Sequence, residues 1–241
     1  IANGDWSSDV CSSDLNFMNY TLNEAIHHDI NDTVKSSLYG AIQLGSTSFS
    51  RFYLDNKAYF SKVTNRGVLT RLLNSGINGA LLESAFTPDA VYQAEQISTN
   101  NFGENIVILK TPNLFFTPSK IRKKQALPSP SGYKKRYSMY NQNSGRQFYF
   151  DPTRELLNPP YYFAPPYYGM ITYQYNFDAL ECASPAIIFP DEQYKERLET
   201  IPIDEISHSH ISVVPPQEEE AIVAKLNEKF EKIIKKGEKN G

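Results

Sequence analysis

Apolar residues recur at four-residue spacing near the start of the chain. Thr21 followed by Glu24 reads as a capping box, in which hydroxyl and carboxylate each satisfy an exposed backbone N–H. Behind it Ile26, Ile30, Val34, Leu38 and Ile42 make the stripe of a buried helix face, with Gly45 as its stop. Residues 48–54 and 58–63 then alternate weakly, which predicts two strands. Asn65 can cap a short helix holding Val68, Leu69, Leu72 and Leu73, stopped by Asn74-Ser75-Gly76. Thr87-Pro88 opens another helix, with proline at its first position and Val91, Ala94 and Ile97 on its face. Ile106 to Leu109 is a short apolar run between polar residues and reads as a buried strand.

Regularity is lost over residues 111–168. This stretch holds nine of the fifteen prolines, which remove backbone donors, so it reads as one long loop or insertion with a short hairpin at 146–151. Strands resume at 170–177, 186–189 and 210–214. Pro215-Pro216 then opens a terminal helix with Ile222, Val223, Leu226, Phe230 and Ile233 on one face, closed at Gly237. Glu228 and Lys232 support it as an i,i+4 pair. The mixture predicts one α+β domain over residues 16–241. No apolar run approaches the ~20 residues of a membrane span, so no membrane partner is expected.

Residues 1–15 stand apart from this pattern. Positions 5–15 read DWSSDVCSSDL, the string that a common short-read sequencing adapter gives when translated in one frame. The segment is therefore expected to be an artefactual or disordered leader outside the fold. Setting it aside changes the composition. It carries the single Trp, one of the two cysteines and three of the 27 acidic residues, so the remaining chain balances 24 basic against 24 acidic residues. With only Cys182 left, a disulfide framework and a cysteine-rich zinc site are both excluded.

Charge is balanced in sum but not in distribution. Residues 105–150 carry nine basic residues and no acidic one, whereas residues 151–241 carry nine basic and 16 acidic. Arg122, Lys123, Lys124, Lys134, Lys135 and Arg136 form the centre of the basic block. Phe115, Phe116, Tyr133, Tyr137 and Tyr140 interleave with it. Cations neutralise phosphates and aromatic faces stack on unpaired bases, so the block is a candidate surface for a nucleic acid or other phosphate-bearing target. A solvated loop resting against the acidic C-terminal part of the same chain is the other reading of the same charges.

Other chemistry is thin. His27-His28-Asp29 and His208-Ser209-His210 are the nearest approach to a metal-ligand set, but their spacing does not require convergence, and no metal is expected. No glycine-rich phosphate loop, HExxH or GxSxG occurs. Cys182 lies among apolar residues and reads as a buried, inert thiol.

The order of elements carries a resemblance. A strand ending in Tyr59-Phe60-Ser61-Lys62-Val63 leads into a helix and then Asn74-Ser75-Gly76-Ile77. Late in the chain Ala186-Ile187-Ile188-Phe189-Pro190 is followed by Ile201-Pro202-Ile203-Asp204-Glu205-Ile206. This resembles the ADP-ribosyltransferase superfamily, including DarT-type enzymes that modify DNA, over roughly residues 56–110 and 180–235. The resemblance implies two small facing β-sheets with peripheral helices and NAD+ in the cleft between them. It also implies a late glutamate that stabilises positive charge developing on the ribose. That glutamate position falls on Ala186 or Pro185, so Glu181 becomes the candidate catalytic carboxylate. Tyr59 and Ser61 become the candidate cofactor contacts, and the 111–168 loop the part that meets the target. A non-catalytic nucleic-acid or phosphate-binding module is the alternative, keeping the basic block and dropping the cofactor.

Overall fold

The computed structural model describes residues 20–60, 66–98, 105–122, 125–142, 166–203 and 216–238. The capping box forms as the sequence predicts. The Glu24 amide donates to Thr21 Oγ1 at 3.3 Å and the Thr21 amide to Glu24 Oε2 at 2.7 Å, opening α1 (Leu22–Asp29). The four-residue stripe does not run through one helix. Ile30 ends α1, and Asn31 recaps the chain by accepting from the Val34 amide at 3.0 Å, starting α2 (Asp32–Asp55). At 24 residues α2 is ~36 Å long. It runs through Gly45 and over the segment 48–54 expected as a strand. Buried Val34, Leu38, Ala41, Ile42, Gly45, Phe49 and Phe52 keep helical spacing to the end. The short α3 (Lys57–Phe60) follows where a second strand was expected, and α4 (Arg66–Ser84) continues past Gly76.

The strands make one mixed sheet. β1 (Gln93–Ser98), β2 (Asn105–Lys110), β3 (Leu114–Lys120), β4 (Tyr167–Asn176), β5 (Glu181–Pro190) and β6 (Arg197–Pro202) lie side by side in chain order. All neighbours are antiparallel except β3 and β4, which pair in parallel from Leu114↔Tyr167 to Lys120↔Tyr173. A parallel pair needs a crossover. The chain between β3 and β4 supplies it, and that chain carries the short helix α5 (Gly132–Ser138) and a 3₁₀ turn at Met139–Asn141.

Side chains alternate across the sheet, so it has two faces. Val107, Leu109, Leu114, Phe116, Ile171 and Ile187 join the main core with α2 and α4. Ile108, Phe115, Tyr168, Met170 and Ile188 belong to a second, smaller cluster together with Tyr194 and Tyr137 of α5. Three tyrosines on the helix-facing side of β4 bury their rings and spend their hydroxyls on separate partners. Tyr167 donates to the Tyr20 carbonyl at 3.0 Å, Tyr173 donates to Asn74 Oδ1 at 2.9 Å, and Tyr175 meets Ser50 Oγ at 2.7 Å. The terminal helix α6 (Pro216–Glu238) lies outside α2 and α4. Its Ile222, Leu226 and Phe230 are buried, and the Phe230 ring meets Phe52 edge to face at 5.5 Å.

Several expectations are corrected here. Among the described residues there is one six-stranded sheet, where the resemblance implied two facing sheets. Thr87-Pro88 stands in turns that end α4, and the expected helix face at Val91, Ala94 and Ile97 instead leads into edge strand β1, where Ala94 pairs with Leu109. The 111–168 stretch is not one loop, because β3 and α5 fall inside it. The expected hairpin at 146–151 and strand at 210–214 lie outside the described residues. No described helix is long and apolar enough to cross a membrane.

Candidate functional site

Of the block's described basic residues, Lys120 lies over the Phe177 ring on the face of the long helices, whereas Lys134, Lys135 and Arg136 stand on α5, which lies on the opposite face of the sheet. Rings hold it there. Tyr137 meets Phe115 edge to face at 5.2 Å and Tyr168 at 5.4 Å, while Tyr140 meets Phe115 at 5.6 Å. Such pairs contribute about 0.5–1.5 kcal/mol each beyond the area they bury. Asn141 fixes the end of the helix. Its Nδ2 donates to the carbonyls of Tyr168 and Pro190, both at 2.8 Å, and its Oδ1 accepts from the Tyr168 amide at 2.8 Å. One side chain thus satisfies buried backbone groups at the ends of β4 and β5. The loop before α5 is tied down by Tyr194, whose hydroxyl donates to the Pro128 carbonyl at 2.9 Å.

Burial divides the helix into two stripes. Lys134, Ser138 and Asn141 are buried, and Tyr133 and Tyr137 are half-buried. Lys135, Arg136, Met139 and Tyr140 are exposed, and their i, i+1, i+4, i+5 spacing puts them on one side. Met139 and Tyr140 retain 43% and 39% of their surface, which leaves two large apolar groups in water beside two cations. Ser138 Oγ donates to the Glu192 carbonyl at 3.1 Å, so this segment does touch the acidic C-terminal part, but through backbone. Arg197 donates to the carbonyls of Gln125 and Ala126 in the same way. Of the block's other cations, Arg122 is exposed and Lys110 pairs with Glu95 at 2.6 Å.

Lys134 behaves differently from its neighbours. It is 8% exposed and its Nζ donates to the Ser129 carbonyl at 3.0 Å. Burial disfavours its charged form and pulls its pKa down to about 8. Beneath α5 the sheet is hydroxylated. Thr117 Oγ1 and the Tyr168 hydroxyl lie 2.6 Å apart, and burial raises the Tyr168 phenol well above its ordinary value. The Tyr133 phenol is also raised by burial, while the nearby hydroxyls of Ser131, Ser119 and Thr117 oppose that rise. Ser119 Oγ and Ser131 Oγ are themselves buried beside that phenol.

The residues singled out by the resemblance are not brought together. Tyr59 lies on α3, not on a strand, with its ring against Phe60 and 4.9 Å from Phe230 of α6. Glu181 is exposed at the start of β5, opposite Asn176 of β4. Among the described residues no hydrogen bond, ion pair or ring contact joins the two. Ser61, Lys123 and Lys124 lie outside the described residues. Cys182 is mostly buried, and burial pushes its thiol up to about 12, which suits an inert thiol.

The His27-His28-Asp29 run has a use that is structural. Asp29 is buried, and its carboxylate accepts from His28 Nδ1 at 2.7 Å, Thr111 Oγ1 at 2.7 Å, the Asn113 amide at 2.6 Å and Asn113 Nδ2 at 2.9 Å. It ties the end of α1 to the turn between β2 and β3. Among the described residues no three His, Cys, Asp or Glu side chains gather as a metal site. Sequence reasoning passed over Asn141, and read Asp29 only as part of a candidate metal-ligand run. Both are short polar residues whose partners, apart from His28 beside Asp29, lie 27 to 84 positions away, and no local spacing signals them.

No family model matches the chain, and no curated protein or solved structure is significantly similar to it.

Proposed function

We propose that the chain is a binding module for single-stranded nucleic acid or a similar phosphate-bearing strand, with α5 as the contact surface. The observation that carries this reading is the exposed stripe of Lys135, Arg136, Met139 and Tyr140. Cations held beside exposed flat or polarisable side chains suit a ligand with both phosphates and unpaired bases. The absence of any acidic residue from positions 105–150 leaves little on the helix itself to repel such a ligand. Asn141 and the ring contacts hold the stripe on a sheet, so its side chains need little ordering on binding.

Fluorescence anisotropy of a labelled oligonucleotide tests the reading. Binding should favour single strands over duplex and weaken with salt by a log–log slope of about −0.7 for each phosphate neutralised. Replacing Lys135 and Arg136 together by Ala should flatten that slope by about 1.4. Tyr140→Ala should cost about 1–3 kcal/mol if a base stacks there. No binding at ~50 mM salt, or a flat salt response, would overturn it.

ADP-ribosyl transfer from NAD+, with Glu181 as the catalytic carboxylate and Tyr59 and Ser61 at the cofactor, is the competing proposal. It rests on the order of elements read from the sequence, whose first strand is helix α3 in the structure. Labelled NAD+ incubated with the protein and nucleic acid separates the two, because only the transferase reading predicts transfer or NAD+ hydrolysis.

A further inference from the structure

Glu95 of β1 and Lys110 of β2 stand on the same face of the sheet as α5. Glu95 lies across from Ile108, which packs with Tyr137 in the cluster under α5. Side chains two apart on a strand share a face, so Lys110 projects the same way as Ile108. Its Nζ meets Glu95 Oε1 at 2.6 Å, and the Lys110 and Glu95 side chains keep 46% and 44% of their surface. Contacts run from this pair to the exposed stripe without a break. Lys110 is directly across from Phe115, and the Phe115 ring meets that of Tyr140 at 5.6 Å. The Tyr137 phenol lies within electrostatic reach of Glu95, Arg136 and Tyr140 together. Beside Glu95 on the same face, Ile97 keeps 36% of its surface. A carboxylate next to a phosphate-binding stripe repels the ligand unless it accepts a hydrogen bond from some part of it.

We propose that Glu95 and Lys110 read guanine in a strand lying on α5. The Watson–Crick edge of guanine offers two adjacent donors, N2–H and N1–H, followed by the acceptor O6. The carboxylate offers two acceptor oxygens, and the ammonium beside it has two N–H donors beyond the one aimed at Glu95. Acceptor, acceptor and donor therefore meet donor, donor and acceptor. Adenine and cytosine present one exocyclic amine beside an acceptor and make one hydrogen bond fewer. Thymine and uracil flank their one N–H with carbonyls, one of which would face the carboxylate. Single strands leave this edge unpaired and open to side chains. Lys110 also offsets the charge of Glu95 against nearby phosphates. The inference rests on the reading of α5 as a single-strand surface, and adds which base that surface prefers.

Fluorescence anisotropy on the full chain tests it, with short thymine strands that carry a single guanine, hypoxanthine or 7-deazaguanine at the centre. Hypoxanthine differs from guanine only in lacking the N2 amine. The guanine strand should bind about tenfold tighter or more, the factor that one hydrogen bond to a charged group supplies. The 7-deazaguanine strand, altered only on the opposite edge, should bind like guanine. Glu95→Gln should bring the guanine-to-hypoxanthine ratio towards unity, while plain thymine strands bind as well as before or better, because a repelling charge is gone. Glu95 is half-exposed, so the variant should keep its fold, which far-UV circular dichroism checks, and the base comparison on the native protein needs no variant. Equal affinity for guanine and hypoxanthine in the native protein overturns the inference and leaves α5 as an unselective surface. Tighter binding of every strand by the Glu95→Gln variant, with the guanine preference intact, also overturns it, since Glu95 then only holds Lys110 away from phosphates. No binding of any strand removes both the inference and the reading it rests on.

Discussion

Gly45 of α2 and Gly76 of α4 meet backbone to backbone. A Cβ on Gly76 would stand 2.8 Å from the Gly45 carbonyl oxygen, and one on Gly45 would stand 2.5 Å from the Ile77 Cα. The atoms in the way are backbone, which cannot rotate aside. Two glycines that look like helix stops in the sequence are therefore the point where two long helices cross. Each helix accepts the ~1 kcal/mol that an interior glycine costs, in return for packing at closer than usual range.

Gly45→Ala should for this reason destabilise the protein, although alanine is the better helix former. Overpacking of this kind costs about 1–3 kcal/mol and often more where backbone must shift. A surface control is Gly40→Ala on the same helix, where a Cβ meets nothing within 4 Å. That change should be neutral or stabilising by up to about 1 kcal/mol. Urea denaturation of both variants checks the contrast. Equal midpoints would show that the helices do not cross at this contact.

Asp29 predicts an acid-sensitive clamp. Burial by itself would raise its carboxyl, but hydrogen bonds from Thr111, His28 and Asn113 outweigh that and hold it below its ordinary value. A carboxyl depressed in the folded state contributes stability above its unfolded value of about 3.9, and loses it as pH falls through the folded value. Asp29→Asn should lower stability at pH 7 by about 1–3 kcal/mol, because one of the two acceptor oxygens becomes an NH2 set against donors. The gap between native and variant should narrow as pH falls below ~4 and close only below the folded value, where the native carboxyl is also protonated. Denaturation at pH 7, 5 and 3 measures it. A gap that stays constant to pH 3 would mean that the carboxylate charge is not what holds the turn.

Asn141 should couple stability to binding. Asn141→Ala leaves the Tyr168 amide and the carbonyls of Tyr168 and Pro190 without a side-chain partner in a buried place. Loss of about 1–3 kcal/mol is expected. Strand binding should weaken too, because the residues it orients, Met139 and Tyr140, are its immediate neighbours. Asn141→Asp separates the two roles. It keeps the acceptor for the Tyr168 amide but sets a carboxylate against two carbonyls, so it should be no better tolerated than alanine. Native stability in both variants would remove Asn141 from the account of how α5 is held.

Local signals in this sequence were enough wherever a decision depends on residues within one or two turns. The Thr21–Glu24 capping box, the apolar strand at 106–109 and the face of Ile222, Leu226 and Phe230 all follow from spacing, because capping and amphipathic burial are short-range. The acid-free basic block was likewise visible as composition. Tertiary structure decided the rest. Whether Gly45 and Gly76 end helices or let them cross depends on a neighbour some thirty residues away. Residues 48–54 alternate weakly enough to suit a strand, yet they are helical, and Phe49 buries against Tyr175 of β4 while Phe52 buries against Phe60 and Phe230, partners that only the tertiary fold supplies. The division of the basic block into an exposed stripe and a buried Lys134 appears only once α5 is seated on Phe115 and Tyr168. Charge is a property of the residue, but its solvation, and so what it can bind, belongs to the fold.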